Sequence, residues 1–398
     1  MYVRGAANSL VIPFAVVLVI ITAACASAGP LEQLVSAAKE EGQLNVVALP
    51  RDWCGYGAII DGFKAKFGIR ISERLPDASS TKVIEEIKKP RVTPGADTVD
   101  VIDVGVSFAV SAKREGLLLP HKVPTWSSIP NAAKDDDGYW YGAYYGSIVF
   151  EVNSDTVLRA PMDWPDLLSP EYRNMVALAG DLASNQAILS VFAAGLSAGQ
   201  GDPDHAASRG MRYFAELNRI GNFVPIVGNQ ESLVRGRTPI LVRWNYLALA
   251  DREELRGKAR IAVITPRTGV LAGVYAQAIS ASAPHPNAAR LWMTYLYSDE
   301  TQLAFLQRHC HPIRLADLAR RGKVPSDIHK RLAQFPSLGP NGNPYFPSVE
   351  EEERARQIIT KGWEGVVGTQ IPCHEDGASS DVPMVLNKII NPQCYAQQ

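Results

Sequence analysis

The chain has 398 residues, enough for two domains with sizeable cores. Apolar residues make up 46% and charged residues 20%, an ordinary globular balance. A formal net charge of -1 argues against nucleic acid or an acidic membrane surface as a partner.

Residues 1–28 read as a segment outside the fold. Arg4 gives a positive start, 10–22 is an apolar run broken only by Pro13, and small residues from Ala23 to Ala28 follow. That order marks a secretory signal peptide, and the run is short for a membrane span. Ala26-Ser27-Ala28 fits an A-x-A cleavage site, which implies a soluble periplasmic protein starting near Gly29. The alternative is lipidation at Cys25, but Thr22 stands where such sites usually carry Leu, Val or Ile. Export puts Cys54, Cys310, Cys373 and Cys394 in an oxidising compartment. Four cysteines allow three pairings. Cys373 with Cys394, on one tail, is the favoured pair and leaves Cys54 with Cys310; free thiols are the alternative. No C-x-x-C or spaced His pair offers a zinc site, so no metal ligands are assigned.

From 31 onward the pattern alternates. A helix over 31–41, stopped by Gly42, precedes a buried strand over 44–49. A helix over 58–67, a strand over 69–75, a helix over 81–89, a strand over 99–104 and a helix over 108–115 follow. After the turn at 135–138, the aromatic stretch 139–153 is long enough to cross from one lobe to another. A helix opening at 163–168, a strand over 176–179, helices over 185–194 and 211–219, and strands over 240–244 and 261–265 come next. The stretch 270–282 reads as a return crossing, with helices over 287–297, 301–308 and 350–363 beyond it. Strand–helix alternation with two crossings gives an α/β protein of two lobes, each a wound mixed sheet flanked by helices. Its expected division is 29–143 with 276–345 as the first lobe, 144–275 as the second, and 346–398 as an extension packed on both.

Four segments carry a family resemblance. They are Leu31-Glu32-Gln33-Leu34 through Gly42, Val99-Asp100-Val101-Ile102-Asp103-Val104, Trp164-Pro165-Asp166-Leu167-Leu168 with Val176-Ala177-Leu178, and His285-Pro286-Asn287 through Asp299-Glu300. In order and spacing they resemble the solute-binding proteins of bacterial ABC importers with the type II two-lobe fold. The resemblance covers about 31–335 and implies lobes that close on a small solute and present it to an inner-membrane permease. Around 50–57 the chain is similar to polyamine binders, which place an aromatic residue and an acid after the first strand; Asp52, Trp53 and Tyr56 stand there. Arg51 departs from that pattern, since its charge would repel a cation. A ligand with ammonium and anionic groups, such as an aminophosphonate, would suit a mixed site. Iron-binding relatives carry adjacent tyrosines on the second lobe, whereas Tyr144-Tyr145 falls at the first crossing, so iron coordination is not carried over and a ferric binder stays an alternative.

Independently of family, ligands of open α/β sheets lie beyond the carboxyl ends of strands. That rule selects Asp52, Trp53, Ser107, Asp181, Ser184, Asn185, Arg243, Trp244 and Tyr246, with Tyr145 and Tyr275 from the crossings. Trp53, Trp244 and Tyr275 are expected as aromatic walls for a cation. Asp52 and Asp181 are its counter-charges, Arg243 a fork for an anion, and Ser184 and Asn185 a helix start. Each has a blander reading as core, cap or structural ion pair. No G-x-S-x-G elbow, H-E-x-x-H pair or Gly-rich phosphate loop is read in the chain, so no catalytic residue and no cofactor are expected. A monomeric receptor without enzymatic activity is the reading; a sensor that hands its solute to a signalling protein and a periplasmic enzyme are the alternatives.

Overall fold

The computed structural model describes residues 29–89, 98–328 and 344–372. The expected signal segment, Cys373 and Cys394 lie outside the described residues. Helix α1 (Pro30–Glu41) leads through β1 (Gln43–Val47), α2 (Tyr56–Phe67), β2 (Arg70–Arg74) and α3 (Ser80–Lys88) to β3 (Val101–Gly105), α4 (Val106–Arg114) and β4 (Leu118–Leu119). The long β5 (Trp140–Asn153) then precedes β6 (Val176–Leu178), α5 (Asn185–Ala198), α6 (Ala206–Arg219) and β7 (Phe223–Val227). Next come α7 (Gln230–Val234), β8 (Ile240–Trp244), α8 (Asn245–Glu254) and β9 (Ile261–Ile264). The chain returns through β10 (Ala272–Ser280), followed by α9 (Pro286–Leu296), α10 (Asp299–Gln307), β11 (His311–Pro312), α11 (Leu315–Arg320) and α12 (Val349–Val367).

The strands form one continuous sheet in the order β2-β1-β3-β10-β5-β8-β6-β7, with β4 added to β10, and β9 and β11 added to β5. Pairing is parallel among β2, β1 and β3 and among β7, β6 and β8, and antiparallel along β5 and β10. β5 changes partners in mid-strand: Ser147 pairs with Ala272 of β10, and Ile148 with Trp244 of β8. The sheet thus divides into two halves that share this strand, the mixed two-lobe α/β architecture expected from the alternation.

Local chemistry explains where the elements depart from expectation. Trp164–Leu168 is a short 3-10 helix because Pro165 suits only a first turn, and Asp163 accepts the Trp164 N–H. β7 was hidden by Pro225, a residue tolerated on the edge strand that β7 proves to be. α8 starts directly after β8, so Asn245 and Tyr246 occupy a helical first turn rather than a loop.

The core is continuous from α1 to α12, and Ala355, Ile359, Trp363 and Val367 of α12 belong to it. The larger three, Ile359, Trp363 and Val367, each contribute about 1.5–3 kcal/mol on burial, so the C-terminal helix is an integral part of the fold. One end of α12 packs on α4, where Arg356 donates to the Ser111 hydroxyl at 3.0 Å and Arg114 pairs with Glu353 at 2.6 Å. Its other end packs on α6, with the Trp363 and Phe214 ring centres 5.6 Å apart and Asn218 donating to the Val367 carbonyl at 2.9 Å.

A disulfide joins Cys54, in the loop after β1, to Cys310, just before β11. Closing a loop of 256 residues restricts the unfolded chain strongly. The double variant Cys54→Ser/Cys310→Ser should lose about 2–5 kcal/mol in urea unfolding; an unchanged midpoint would contradict this role.

Candidate functional site

The loop after β1 is fixed at several points. Cys54 is bonded to Cys310, and Arg51 pairs with Glu73 at 2.9 Å and Asp61 at 2.5 Å. The charge that looked hostile to a cation is therefore already balanced. Asp52 is exposed on the same loop, whereas Trp53 is half-buried and turns inward. The Trp53 ring meets Tyr246 of α8 edge-on at 5.8 Å and Tyr275 of β10 at 5.9 Å. Tyr275 stacks on Tyr144 of β5 with centres 5.5 Å apart and planes 4° from parallel. Trp244 is fully buried behind this group, donating its indole N–H to the Tyr275 hydroxyl at 3.3 Å. It backs the aromatic cluster instead of walling it.

The two halves of the sheet meet directly here. Gly105 ends β3 opposite Tyr275, and a Cβ on it would fall 2.3 Å from the Asn185 amide carbon at the start of α5. A side chain at 105 would force the Asn185 amide out of this position. The Thr81 amide and hydroxyl both donate to the Ala183 carbonyl, at 3.3 and 3.0 Å. Ser184 caps α5 by accepting the Ala187 N–H at 3.3 Å and donating to the Asp181 carbonyl at 2.7 Å, and the Asp181 carboxylate accepts the Ala183 N–H at 3.0 Å. Around this seam the Asn185 amide nitrogen, the Ser147 hydroxyl, the Tyr246 hydroxyl and one Asp103 oxygen are buried without hydrogen-bond partners. Orphaned buried polar atoms cost free energy unless water or a ligand completes them.

Two buried carboxyls flank the aromatic cluster, and sequence reasoning assigned neither. Asp103 of β3 accepts from the Tyr56 hydroxyl at 2.6 Å and from the Gln277 amide at 2.9 Å. Burial outweighs these donors and pushes the Asp103 carboxyl up to about 7. Glu352 of α12 accepts the Ser107 backbone N–H at 3.4 Å, and burial pushes it up to about 8. Ser107 lies in the first turn of α4, whose free amides favour an anion. The signal for Asp103 was an acid between branched aliphatic residues in a buried strand. Glu352 gave no such signal, standing in a run of four glutamates on a helix.

Other selected residues do not converge on this seam. Arg243 lies on the opposite face of β8 from Trp244, as strand alternation requires, and Nη1 is held by Glu151 at 2.8 Å and Asp251 at 2.6 Å. Its charge thus serves an internal ion cluster. Tyr145 and Tyr144 also face opposite ways: Tyr145 stacks on His311 at 4.9 Å and meets Phe346 at 5.2 Å. Among the described residues no three His, Cys, Asp or Glu side chains come together as a metal site. One string, Gly195-Leu196-Ser197-Ala198-Gly199, does have G-x-S-x-G order. It lies at the end of α5 and not between a strand and a helix, and the Ser197 hydroxyl bonds Thr268 at 2.6 Å.

The chain belongs to the bacterial extracellular solute-binding protein family, whose sequence profile matches residues 96–323. It is 25% identical over 253 residues, 58% of this chain and 69% of the relative, to the iron uptake protein A2 of Synechocystis sp.. Its fold is similar to the periplasmic binding protein AfuA of Actinobacillus pleuropneumoniae with fructose-6-phosphate bound. The TM-score is 0.62 and the identity 16%, over 82% of this chain and 98% of that one. The Atu4243–GABA receptor gives a TM-score of 0.60 at 18% identity, over 85% of this chain and all (100%) of that one. These structures share the two-lobed type II fold of periplasmic binding proteins, and the named ligands are theirs.

The buried acids predict a pH dependence. Both carboxyls have raised values in the folded state, so as pH rises from about 4 to about 8 the unfolded chain loses their protons first and stability falls. Buried His121 and His311, lowered to about 4, act in the opposite direction below about pH 6.5. The readout is therefore the stability difference between wild type and Asp103→Asn/Glu352→Gln in urea unfolding of the ligand-free protein at pH 5, 7 and 8, which should move against the wild type as pH rises. A difference that stays constant across the window would contradict it.

Proposed function

We propose that this protein is an exported periplasmic receptor that closes on a small organic cation bearing an ammonium group and delivers it to the inner-membrane permease of an ABC importer. The observation that carries the reading is the aromatic seam of Trp53, Tyr246 and Tyr275 beside two buried carboxyls. Ring faces and carboxylates both attract ammonium. The neighbouring guanidinium groups are engaged elsewhere, Arg51 by Glu73 and Asp61, and Arg243 by Glu151 and Asp251. The N-terminus of α4 is held by Glu352 and that of α5 by the Ser184 cap, so neither invites a phosphonate. A polyamine-like solute therefore suits the site better than an aminophosphonate.

Binding works through closure. The loop of Trp53 lies on one half of the sheet, and Tyr246 with Asn185 lies on the other, so the solute gains its second set of contacts only when the halves meet. A population shift towards the closed form follows from that difference in contacts. The permease then accepts the closed receptor, a single chain that needs no nucleic acid, cofactor or catalytic residue. Similarity to a protein named for iron uptake favours ferric ion as a second reading, with Tyr56, Tyr144, Tyr246 and Tyr275 as oxygen donors beside Asp103.

Thermal-shift and calorimetric titration of the mature protein with diamines, polyamines, aminophosphonates, amino acids and ferric ion separates these readings. A true ligand at 100 times its Kd adds about 2.7 kcal/mol of stability. Amines should raise the Tm, and Trp53→Ala should weaken their binding about 3- to 30-fold. A shift with ferric ion alone, accompanied by a visible phenolate–iron band, would replace the cation reading.

A further inference from the structure

We propose that Glu352, carried on the C-terminal helix α12, is a ligand-binding residue whose carboxylate receives the ammonium group of the solute, making α12 a wall of the site. The proposal rests on the cation reading and specifies its counter-charge.

The four consecutive glutamates that open α12 are not equivalent. Glu351 accepts the Tyr345 hydroxyl at 2.7 Å and the Ser348 N–H at 2.7 Å, which closes the helix cap. Glu353 pairs with Arg114 at 2.6 Å, and Glu350 lies towards solvent. Glu352 alone turns into the protein, 3% exposed. There it meets one backbone amide, that of Ser107, at the long distance of 3.4 Å. A buried carboxyl with so little compensation is costly, and a purely structural position on this helix is served better by an apolar side chain, as at Ala355 and Ile359.

The place it turns to is the seam. Ser107 follows Gly105 by two residues; Gly105 is the strand partner of Tyr275 and abuts Asn185, whose amide nitrogen is buried without a partner. Glu352 stands close enough to Tyr275 for its charge to help push the phenol up, and Trp53 packs edge-on against the same tyrosine ring at 5.9 Å. The carboxyl thus stands beside the aromatic cluster at the junction of the halves. The other charges of the elements around it are occupied. On α4, Lys113 pairs with Asp135 and Asp137, and Arg114 with Glu353; Arg356, one turn along α12, lies over the Phe108 ring at 4.7 Å. α5 carries no charged residue, and α6 meets the far end of α12 near Trp363. Asp103 of β3, held by Tyr56 and Gln277, is the second acid at the junction. An ammonium group would supply the donors that Glu352 lacks and hold it ionised.

The test is calorimetry of the full mature protein with 1,4-diaminobutane as probe, at pH 7 in two buffers of different ionisation enthalpy. Wild-type binding should release protons, because the cation drives Glu352 from its protonated to its ionised form. Glu352→Gln mimics the protonated form in shape and is expected to fold. It should bind the diamine at least 10-fold more weakly with less proton release, while Glu352→Asp keeps part of both. A Glu352→Gln variant that binds the diamine as tightly as wild type, with the same proton release, overturns the proposal and leaves the aromatic site standing. A wild type that binds no amine at all overturns the cation reading itself, and this proposal with it.

Discussion

A buried strand must pair its backbone groups on both sides along its whole length. β5 meets that demand by bonding one set of strands up to Ser147 and another from Ile148 onward. The exchange of partners obliges the two halves of the sheet to meet beside one point, and it fixes what can surround it. Gly146 abuts the Tyr246 ring, the Ser147 amide donates to the Asn245 side chain at 2.9 Å, and Tyr144 stacks on Tyr275. β10 runs beside β5 through the same point, so groups from distant parts of the chain converge there without a long loop.

Electrostatics then give the junction its character. Burial raises Asp103 and Glu352 towards neutrality, and the tyrosines around them are raised as well, so the unliganded seam carries little charge. In the proposed function, a cation arriving between the halves would reverse that balance for the carboxyls. Arg243, Glu151 and Asp251 show the contrasting solution on the opposite face of β8, where a buried charge is matched by partners of the same chain. The disulfide and α12 brace the arrangement from outside, one holding the Trp53 loop to the segment before β11, the other resting on both α4 and α6.

Much of this was legible in the residues. Alternating apolar runs located most strands and helices, and the aromatic stretch 139–153 announced a crossing strand that proved to be β5. Trp53, Ser107, Asn185 and Tyr246, selected beyond the carboxyl ends of strands, and Tyr275, selected from a crossing, come together at the seam. What stayed hidden depended on direction rather than composition. Trp244 and Arg243 are neighbours on opposite faces, and a strand end alone does not say which one faces the junction. The Glu350–Glu353 run has the pattern of a solvated helix face, and only the docking of α12 across α4 turns Glu352 inward. Asp52 has the chemistry of a counter-ion, yet the loop leaves it exposed, whereas the acids buried at the junction, Asp103 and Glu352, come from other parts of the chain.

In the proposed function one ammonium group sits between aromatic rings and acids where the halves close. A crystal structure of the mature protein grown with a saturating diamine tests it most directly. Ligand density is expected between Trp53, Tyr246 and Tyr275, with an amine nitrogen about 2.7–2.9 Å from a carboxylate oxygen of Glu352. A ferric ion coordinated by tyrosine oxygens, or an amine bound only on the outer surface, would contradict it.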